Sequence, residues 1–401
     1  MQLVNNSLVY LVTILVMASV LYPYIYLLAR ASFIRQGKQL SDAARTLGHN
    51  SKSIFWKIAL PMARPAIVAG MSLVIMETLN DYGAVKHFCV PTFTSGIFRT
   101  WLGMGDLTGA LRLSGILMLL IFSLLIFEKK LRSRSKYHEI LNSKPSSEKK
   151  LLNKNKSIIA ICCCSIPLAL GFFIPVSRMI SWAWISRNSA SELDGIELIG
   201  NSLGLATITS LTIVAIATFL VFSARYYKSA ITYFSNRLAI LGYSIPGAVI
   251  AIGILLFVAQ VNHLTNYVLT GSLYLLIFAY IVRYLAVAWQ PINAGIESNC
   301  DSLNHASQTL GSSAYTSLTR VNLPLIKDTI ITAGLLVFID TVKELPLTLI
   351  LRPFNFETLS TATFDLSSQA QIAESSIPAL YMIMIVLAPL IFLNYRLENI
   401  E

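Results

Sequence analysis

The sequence predicts an all-α integral membrane protein made of two pseudo-symmetric halves. Three observations lead there: a shortage of charge, long unbroken apolar runs, and one pattern that occurs twice in register. Of 401 residues, 55% are hydrophobic and only 13% charged; mean hydropathy is +0.65. A water-soluble domain carries about 25% charged residues. Too little polar material is present to coat a surface facing water, so long stretches must face lipid.

A helix needs about 20 apolar residues to cross the hydrocarbon core, and only helices or closed barrels can cross it. The runs here are continuous rather than alternating, which selects helices. Nine spans are expected, near 8–29, 66–85, 113–127, 157–181, 202–224, 238–261, 266–289, 329–351 and 376–395. No short leader with a small-residue cleavage site precedes the first run, which reads as a retained span. The five cysteines, Cys89, Cys162, Cys163, Cys164 and Cys300, form no metal-binding CxxC pair and read as small apolar contacts.

The positive charges orient the spans. Lys and Arg number 31 against 20 acids. Seven lie in 30–65, ten in the linker 128–156, three in 225–237, three in 283–327, and Arg396 lies in the tail. Crossing nine spans in order puts all five segments on one side, which the positive-inside rule makes the cytoplasm. The C-terminus is then cytoplasmic and the N-terminus outside. The net charge of +11 is an orientation signal, and no nucleic acid is needed to explain it.

The repeat comes next. Asp42-Ala43-Ala44, three residues, Gly48, nine residues, Ile58-x-Leu60-Pro61 is matched by His305-Ala306-Ser307, three residues, Gly311, nine residues, Val321-x-Leu323-Pro324. The offset of 263 carries onward through Ile67 and Ile330, Val74 and Val337, Glu77 and Asp340, and Asp81 and Glu344. Both copies fall in an expected cytoplasmic loop just before a span. Small residues let another protein dock closely. Gly48 can end a short helix, and Pro61 is expected to break the chain before the next span. This divides the chain into a first half at 1–127, a basic cytoplasmic linker at 128–156 and a second half at 157–401. Four spans separate the linker from the second copy, but one precedes the first. The asymmetry suggests a twelve-span protein lacking its first three spans, with Met1 an internal methionine, or else a naturally shortened one.

This spacing resembles the EAA loop of importer permeases in the ATP-binding cassette (ABC) superfamily, of the type I fold. In that family the loop forms a coupling helix that seats in a groove of a cytoplasmic ATPase. The resemblance implies ATPase-coupling roles for Asp42, Ala43, Ala44, Gly48 and Pro61, and for His305, Ala306, Gly311 and Pro324. The sequence departs from the family pattern at the acidic position, with Asp42 in one copy and His305 in the other, and has Ser307 for the second Ala. The stretches METLNDYGAVKHFCVPTFTSGIFRTWLGMGD (76–106) and DTVKELPLTLILRPFNFETLSTATF (340–364) resemble the ferric-iron importer permeases. They are shared less closely with permeases for thiamine, phosphonate, polyamines and sulfate. The family implies an ABC ATPase dimer and a periplasmic substrate-binding protein as partners, and the bacterial inner membrane as location.

Glu77, Asp81, Asp340 and Glu344 fall in or at the ends of apolar spans, each pair spaced to share a helix face. A charge at the bilayer centre costs roughly 2.5–3.5 kcal/mol on insertion scales, so such groups usually face a bundle interior or a cavity. With Lys343 they are candidate translocation-pathway residues. One reading makes the acids a lining for a hard cation such as Fe³⁺, which favours oxygen ligands. The other makes them polar packing and span-end groups, with Lys343 neutralising a neighbour. The sequence contains no GxxxxGK[ST] phosphate loop and no HExxH zinc motif. The expectation is a chain that is no enzyme and binds no cofactor, with ATP used by a partner subunit. An ion-coupled secondary transporter would account for the acids but not for the repeated loop.

Overall fold

The computed structural model describes residues 2–133, 153–187, 194–226, 229–265, 268–299 and 307–398, apart from 308 and 310. All regular structure among the described residues is helical. Helix α1 is Gln2–Arg35 and α2 is Gly37–Thr46. Helix α3 runs Ser51–Asn80, α4 is Gly83–His87, α5 is Phe93–Phe98 and α6 is Leu107–Ser133. Helix α7 is Lys154–Ile185, α8 is Gly195–Tyr226, α9 is Ala230–Leu241, α10 is Gly247–Thr265 and α11 is Leu273–Asn299. Helix α12 joins the pieces Ala314–Ser317, Leu318–Asn322 and Leu323–Leu325. Then come α13, Lys327–Val342; α14, Pro346–Leu351; α15, Leu359–Ser368; and α16, Ile372–Glu398. Eight of the described helices are long and apolar enough to cross a membrane.

The chain forms two compact units, one of 1–95 with 115–178 and one of 96–114 with 179–401. In the first, α1 lies along α3. Gly70 lets them touch: a Cβ there would sit 2.8 Å from the Ile25 Cα. The other side of α1 meets α7, where a Cβ on Gly171 would collide with the Ser19 carbonyl. Small residues bringing helix backbones together is the usual way apolar helices associate in lipid, where no hydrophobic drive separates helix from solvent. In the second unit α8 packs on both α11 and α13, α11 also packs on α13, and α15 lies against α16. The Ser210 hydroxyl of α8 donates to the Gly334 carbonyl of α13 at 2.6 Å.

Four expectations need correction. The run 329–351 is not one helix: α13 stops at Val342 and α14 begins at Pro346. The run 66–85 likewise stops at Asn80 and restarts at Gly83. Pro61 does not break the chain. It lies inside the continuous helix Ser51–Asn80, because Phe55–Ala59 forms a π turn in which the Leu60 N–H reaches back to the Phe55 carbonyl. The extra residue in that turn accommodates a proline that has no N–H to donate and a ring that would crowd an α-helical carbonyl. Finally, Arg283 belongs to no loop; it sits within α11 at 6% exposure.

Candidate functional site

The first copy of the repeated loop is a helix, a tight reversal and a second helix. The α2 helix ends with both bonds of a Schellman turn: the Gly48 N–H donates to the Arg45 carbonyl at 2.9 Å, and the His49 N–H to the Ala44 carbonyl at 3.1 Å. Gly48 has φ +82°, the left-handed region that a Cβ disfavours. The Asn50 side chain then accepts the Ser53 N–H at 2.8 Å and caps the start of α3. Ala44 is buried, whereas Asp42, Ala43, Leu47 and Gly48 face outward. Asp42 lies 3.7 Å from Arg45, an exposed pair of little energetic weight. The Gln36 amide, at the junction of α1 and α2, donates to the Ala59 carbonyl of the π turn at 3.0 Å. The loop is thereby tied directly to the helix it precedes.

The second copy repeats this geometry at the same offset of 263. Gly311 has φ +79°. The Ser312 N–H donates to the Ser307 carbonyl at 3.1 Å, matching the His49 bond, and Ser307 is buried as Ala44 is. Ser313 accepts the Thr316 N–H at 3.2 Å, matching the Asn50 cap. The π turn Leu318–Asn322 stands where Phe55–Ala59 stands, and Pro324 follows it as Pro61 does. His305 and Ala306 lie outside the described residues.

The acids sit at the far ends of the helices that these loops begin. Asp81 and Glu344 are not on a helix face with Glu77 and Asp340. They occupy the breaks after α3 and α13, because each carboxylate turns onward to cap the following short helix. Asp81 Oδ2 accepts the N–H groups of Ala84 and Val85, both at 3.1 Å. Glu344 Oε1 accepts the Leu347 N–H at 3.2 Å. A hydroxyl from the next helix closes each break: Thr94 donates to the Asp81 carbonyl and Ser360 to the Glu344 carbonyl, both at 2.8 Å. The loop between is three residues longer in the second half, so the register shifts from 263 to 266 and is then kept. Cys89 and Asn355 both have positive φ, 54° and 57°. Thr92 with Ser95, and Thr358 with Thr361, form the same reciprocal cap.

The two breaks differ in charge. Glu344 is 5% exposed. The Arg283 guanidinium lies 3.4 Å from its Oε2, and the Tyr284 hydroxyl donates to the same oxygen at 2.6 Å. Arg283 also donates to the Ile245 carbonyl at 3.2 Å. Gly247 leaves room for the pair, since a Cβ there would lie 2.6 Å from Glu344 Oε1 and 2.9 Å from Arg283 Nη1. The offset places Val20 of α1 opposite Arg283, so the Asp81 break has no matching arginine from that helix. Asp340 pairs with Lys343 at 2.8 Å. Glu77 and Asp81 are partly exposed. No group of three or more His, Cys, Asp or Glu side chains arranged to hold a metal occurs among the described residues.

Sequence reasoning missed Arg283, Tyr284 and Gly247, and it missed the hydroxyls that close the breaks. An arginine inside an apolar run was itself a signal, because such a charge is retained only with a partner. Counting it as a loop charge hid that signal.

Comparison with known proteins agrees with the architecture. The family model for the binding-protein-dependent transport system inner membrane component matches residues 3–134 and 213–400, one segment for each copy of the repeat. The Fe(3+)-transport system permease protein FbpB 2 of Haemophilus influenzae is 29% identical over 380 residues, covering 93% of this chain and 74% of that protein. A probable ABC transporter permease protein, y4fN, of Sinorhizobium fredii is 21% identical over 385 residues, covering 90% and 67%. Among solved structures, a bacterial ABC transporter that imports the acidic polysaccharide alginate superposes with a TM-score of 0.51 at 16% identity, over 61% of this chain and 96% of that one. That likeness speaks for the fold. With matches across most of its length, the chain belongs to the family of inner membrane components of binding-protein-dependent transport systems: it is a multi-span permease with the fold found in ABC importers.

Proposed function

We propose that this chain translocates ferric iron across the bacterial inner membrane, driven by a separate cytoplasmic ABC ATPase dimer and supplied by a periplasmic binding protein. The observation that carries this reading is the left-handed glycine turn repeated at Gly48 and Gly311, each just before a π turn that leads into a longer helix. The sequence similarity to an Fe(3+)-transport permease supports the substrate. In this reading the halves 1–127 and 157–401 are joined by the basic linker 128–156, and the linker and the C-terminus lie in the cytoplasm with the two loops.

The geometry supplies a route for the coupling. At 1.5 Å rise per residue, the 30-residue α3 is a lever about 45 Å long. Its cytoplasmic end is the loop around Asp42, Ala43, Ala44 and Gly48, and its far end is the break at Asp81. Closure of the ATPase displaces the loop, the Gln36 bond carries the displacement to the π turn, and the helix moves the break. The π turn is an adjustable joint, since one residue more than an α turn leaves the helix axis free to shift there. The second lever begins at the loop ending in Gly311, passes Pro324 and ends at Glu344. Glu77 and Asp81 present their carboxylates to the passing cation, while the Arg283–Glu344 and Lys343–Asp340 pairs hold the second break in shape.

Co-purification with a candidate cytoplasmic ABC ATPase tests the reading. Complex formation lost on replacing Gly48 and Gly311 together supports it. A complex that survives that change, with ATP hydrolysis still stimulated by the binding protein, argues against these loops as the coupling device.

A further inference from the structure

The same helix break is built twice in this chain, and one copy carries a clamp that the other lacks. Every helix concerned has its counterpart: the offset of 263 equates α1 with α11, and α1 packs on α3 as α11 packs on α13. Both breaks keep the capping carboxylate and the hydroxyl that closes on it. The second break adds a buried network. The Tyr284 hydroxyl of α11 donates to Glu344 Oε2 at 2.6 Å and lies 3.2 Å from the Asp340 carbonyl in the last turn of α13. The Thr348 hydroxyl of α14 donates to the Glu344 carbonyl at 2.8 Å. Its proton is thus committed, so Tyr280 is the donor in the hydrogen bond between the Tyr280 and Thr348 hydroxyls. The two tyrosine rings stack with centres 6.0 Å apart, and the Arg283 guanidinium sits 5.4 Å from the centre of the Tyr284 ring. Tyr280, Arg283, Tyr284, Glu344 and Thr348 are all buried, and a satisfied polar network in such surroundings stiffens what it joins.

At the positions matching Tyr280, Arg283, Tyr284 and Thr348 the first half has Met17, Val20, Leu21 and Val85. All four differ in the same direction: none of these side chains can donate a hydrogen bond or carry a charge. We propose that the break after α13 is a fixed joint and the break after α3 is the one that opens during the transport cycle. Tyr280, Arg283, Tyr284 and Thr348 are then positioning residues. They hold Glu344 and the start of α14 in place without touching the transported solute. Opening the second break means losing bonds from α11 and α14 at once, whereas at the first break α1 and α4 offer no such bonds. Segments with fewer such bonds open locally at lower cost. The difference in stiffness is a property of the chain alone, and its use in transport rests on the permease reading.

Amide hydrogen exchange of the full chain in lipid nanodiscs tests this. Without nucleotide or partner, and corrected for intrinsic rates, the segment 82–88 is expected to exchange about tenfold faster than 345–351, the difference that one hydrogen bond to a charged group makes. Tyr280→Phe/Tyr284→Phe removes two hydroxyls and keeps both rings. Exchange at 345–351 is then expected to rise towards that of 82–88, which itself stays as it was. Thr348→Val, which installs the residue type of the first half, gives an independent reading should the double variant fold poorly. Equal exchange at the two segments in the parent chain, or no change at 345–351 in either variant, overturns the proposal. With a candidate ABC ATPase bound, ATP and vanadate are expected to alter exchange at 82–88 and to leave 345–351 unchanged. In Tyr280→Phe/Tyr284→Phe the nucleotide effect spreads to both segments, and less solute is moved per ATP hydrolysed. A nucleotide effect that is equal at the two breaks of the parent, or confined to 345–351, overturns the proposal. Failure of any ATPase to bind counts against the permease reading instead, and the exchange rates of the free chain then decide this one.

Discussion

Gly48 and Gly311 adopt the same left-handed backbone conformation 263 positions apart, each just before a π turn that leads into a longer helix. Nothing lies within 4 Å of where a Cβ would sit on either residue. A substitution there meets no neighbour, and its effect comes from the backbone alone. Holding a β-branched residue at positive φ costs roughly 1–2 kcal/mol, so Gly48→Val or Gly311→Val unwinds the turn and misplaces the loop. Transport in the double variant is expected to fall by about tenfold or more. Asparagine tolerates this conformation, so Gly48→Asn is expected to retain most activity. Solute uptake by the two variants at matched expression checks this.

The Arg283–Glu344 pair predicts a double variant more stable than either single one. Removing one partner leaves an unpaired charge in the interior, which costs about 3–5 kcal/mol. Replacing both with apolar residues of similar volume removes both charges and recovers most of that loss. Thermal unfolding of Arg283→Met, Glu344→Met and Arg283→Met/Glu344→Met in nanodiscs measures the coupling. A double variant whose loss equals the sum of the two single losses would show that the pair contributes nothing as a pair.

Gly247→Ala probes the same cluster from the other side. Its Cβ meets a carboxylate oxygen at 2.6 Å and a guanidinium nitrogen at 2.9 Å. Overpacking a well-filled site costs typically about 1–3 kcal/mol. Gly253→Ala on the same helix meets nothing within 4 Å and serves as the control. Apparent melting temperatures of the two variants are expected to separate, with Gly247→Ala lower.

The hydroxyls at the breaks act locally. Thr94→Val and Ser360→Ala each remove the donor to a carbonyl that interrupts a membrane helix. A net loss of about 1 kcal/mol each is expected for a neutral hydrogen bond. Hydrogen exchange at Ala84 and Val85, or at Leu347, is expected to speed up before the rest of the helix does.

Much of this architecture was legible in the sequence, for physical reasons. Apolar length reports most of the spans, because the bilayer thickness fixes it; nine runs were expected, and eight of the described helices are long and apolar enough to cross, the run 329–351 being broken. The repeat around Gly48 and Gly311 was legible because its turn needs glycine, whereas the π turns before Pro61 and Pro324 were not, because a proline in the sequence reads as a chain break. The breaks at Asp81 and Glu344 were not legible. A polar residue inside an apolar run reads equally well as a pore-facing side chain on a continuous helix, and only the structure shows the carboxylates capping Ala84, Val85 and Leu347. Arg283 was lost for a related reason: loop charges and buried, paired charges look alike until a partner such as Glu344 is seen.

The measurement that bears most directly on the account is uptake of radioactive ferric iron into proteoliposomes containing this chain, its ATPase and iron-loaded binding protein. The account predicts uptake that requires ATP inside the ATPase-facing compartment and is abolished in Gly48→Val/Gly311→Val while the chain remains folded. Iron uptake that is independent of ATP, or unchanged in that double variant, would contradict it.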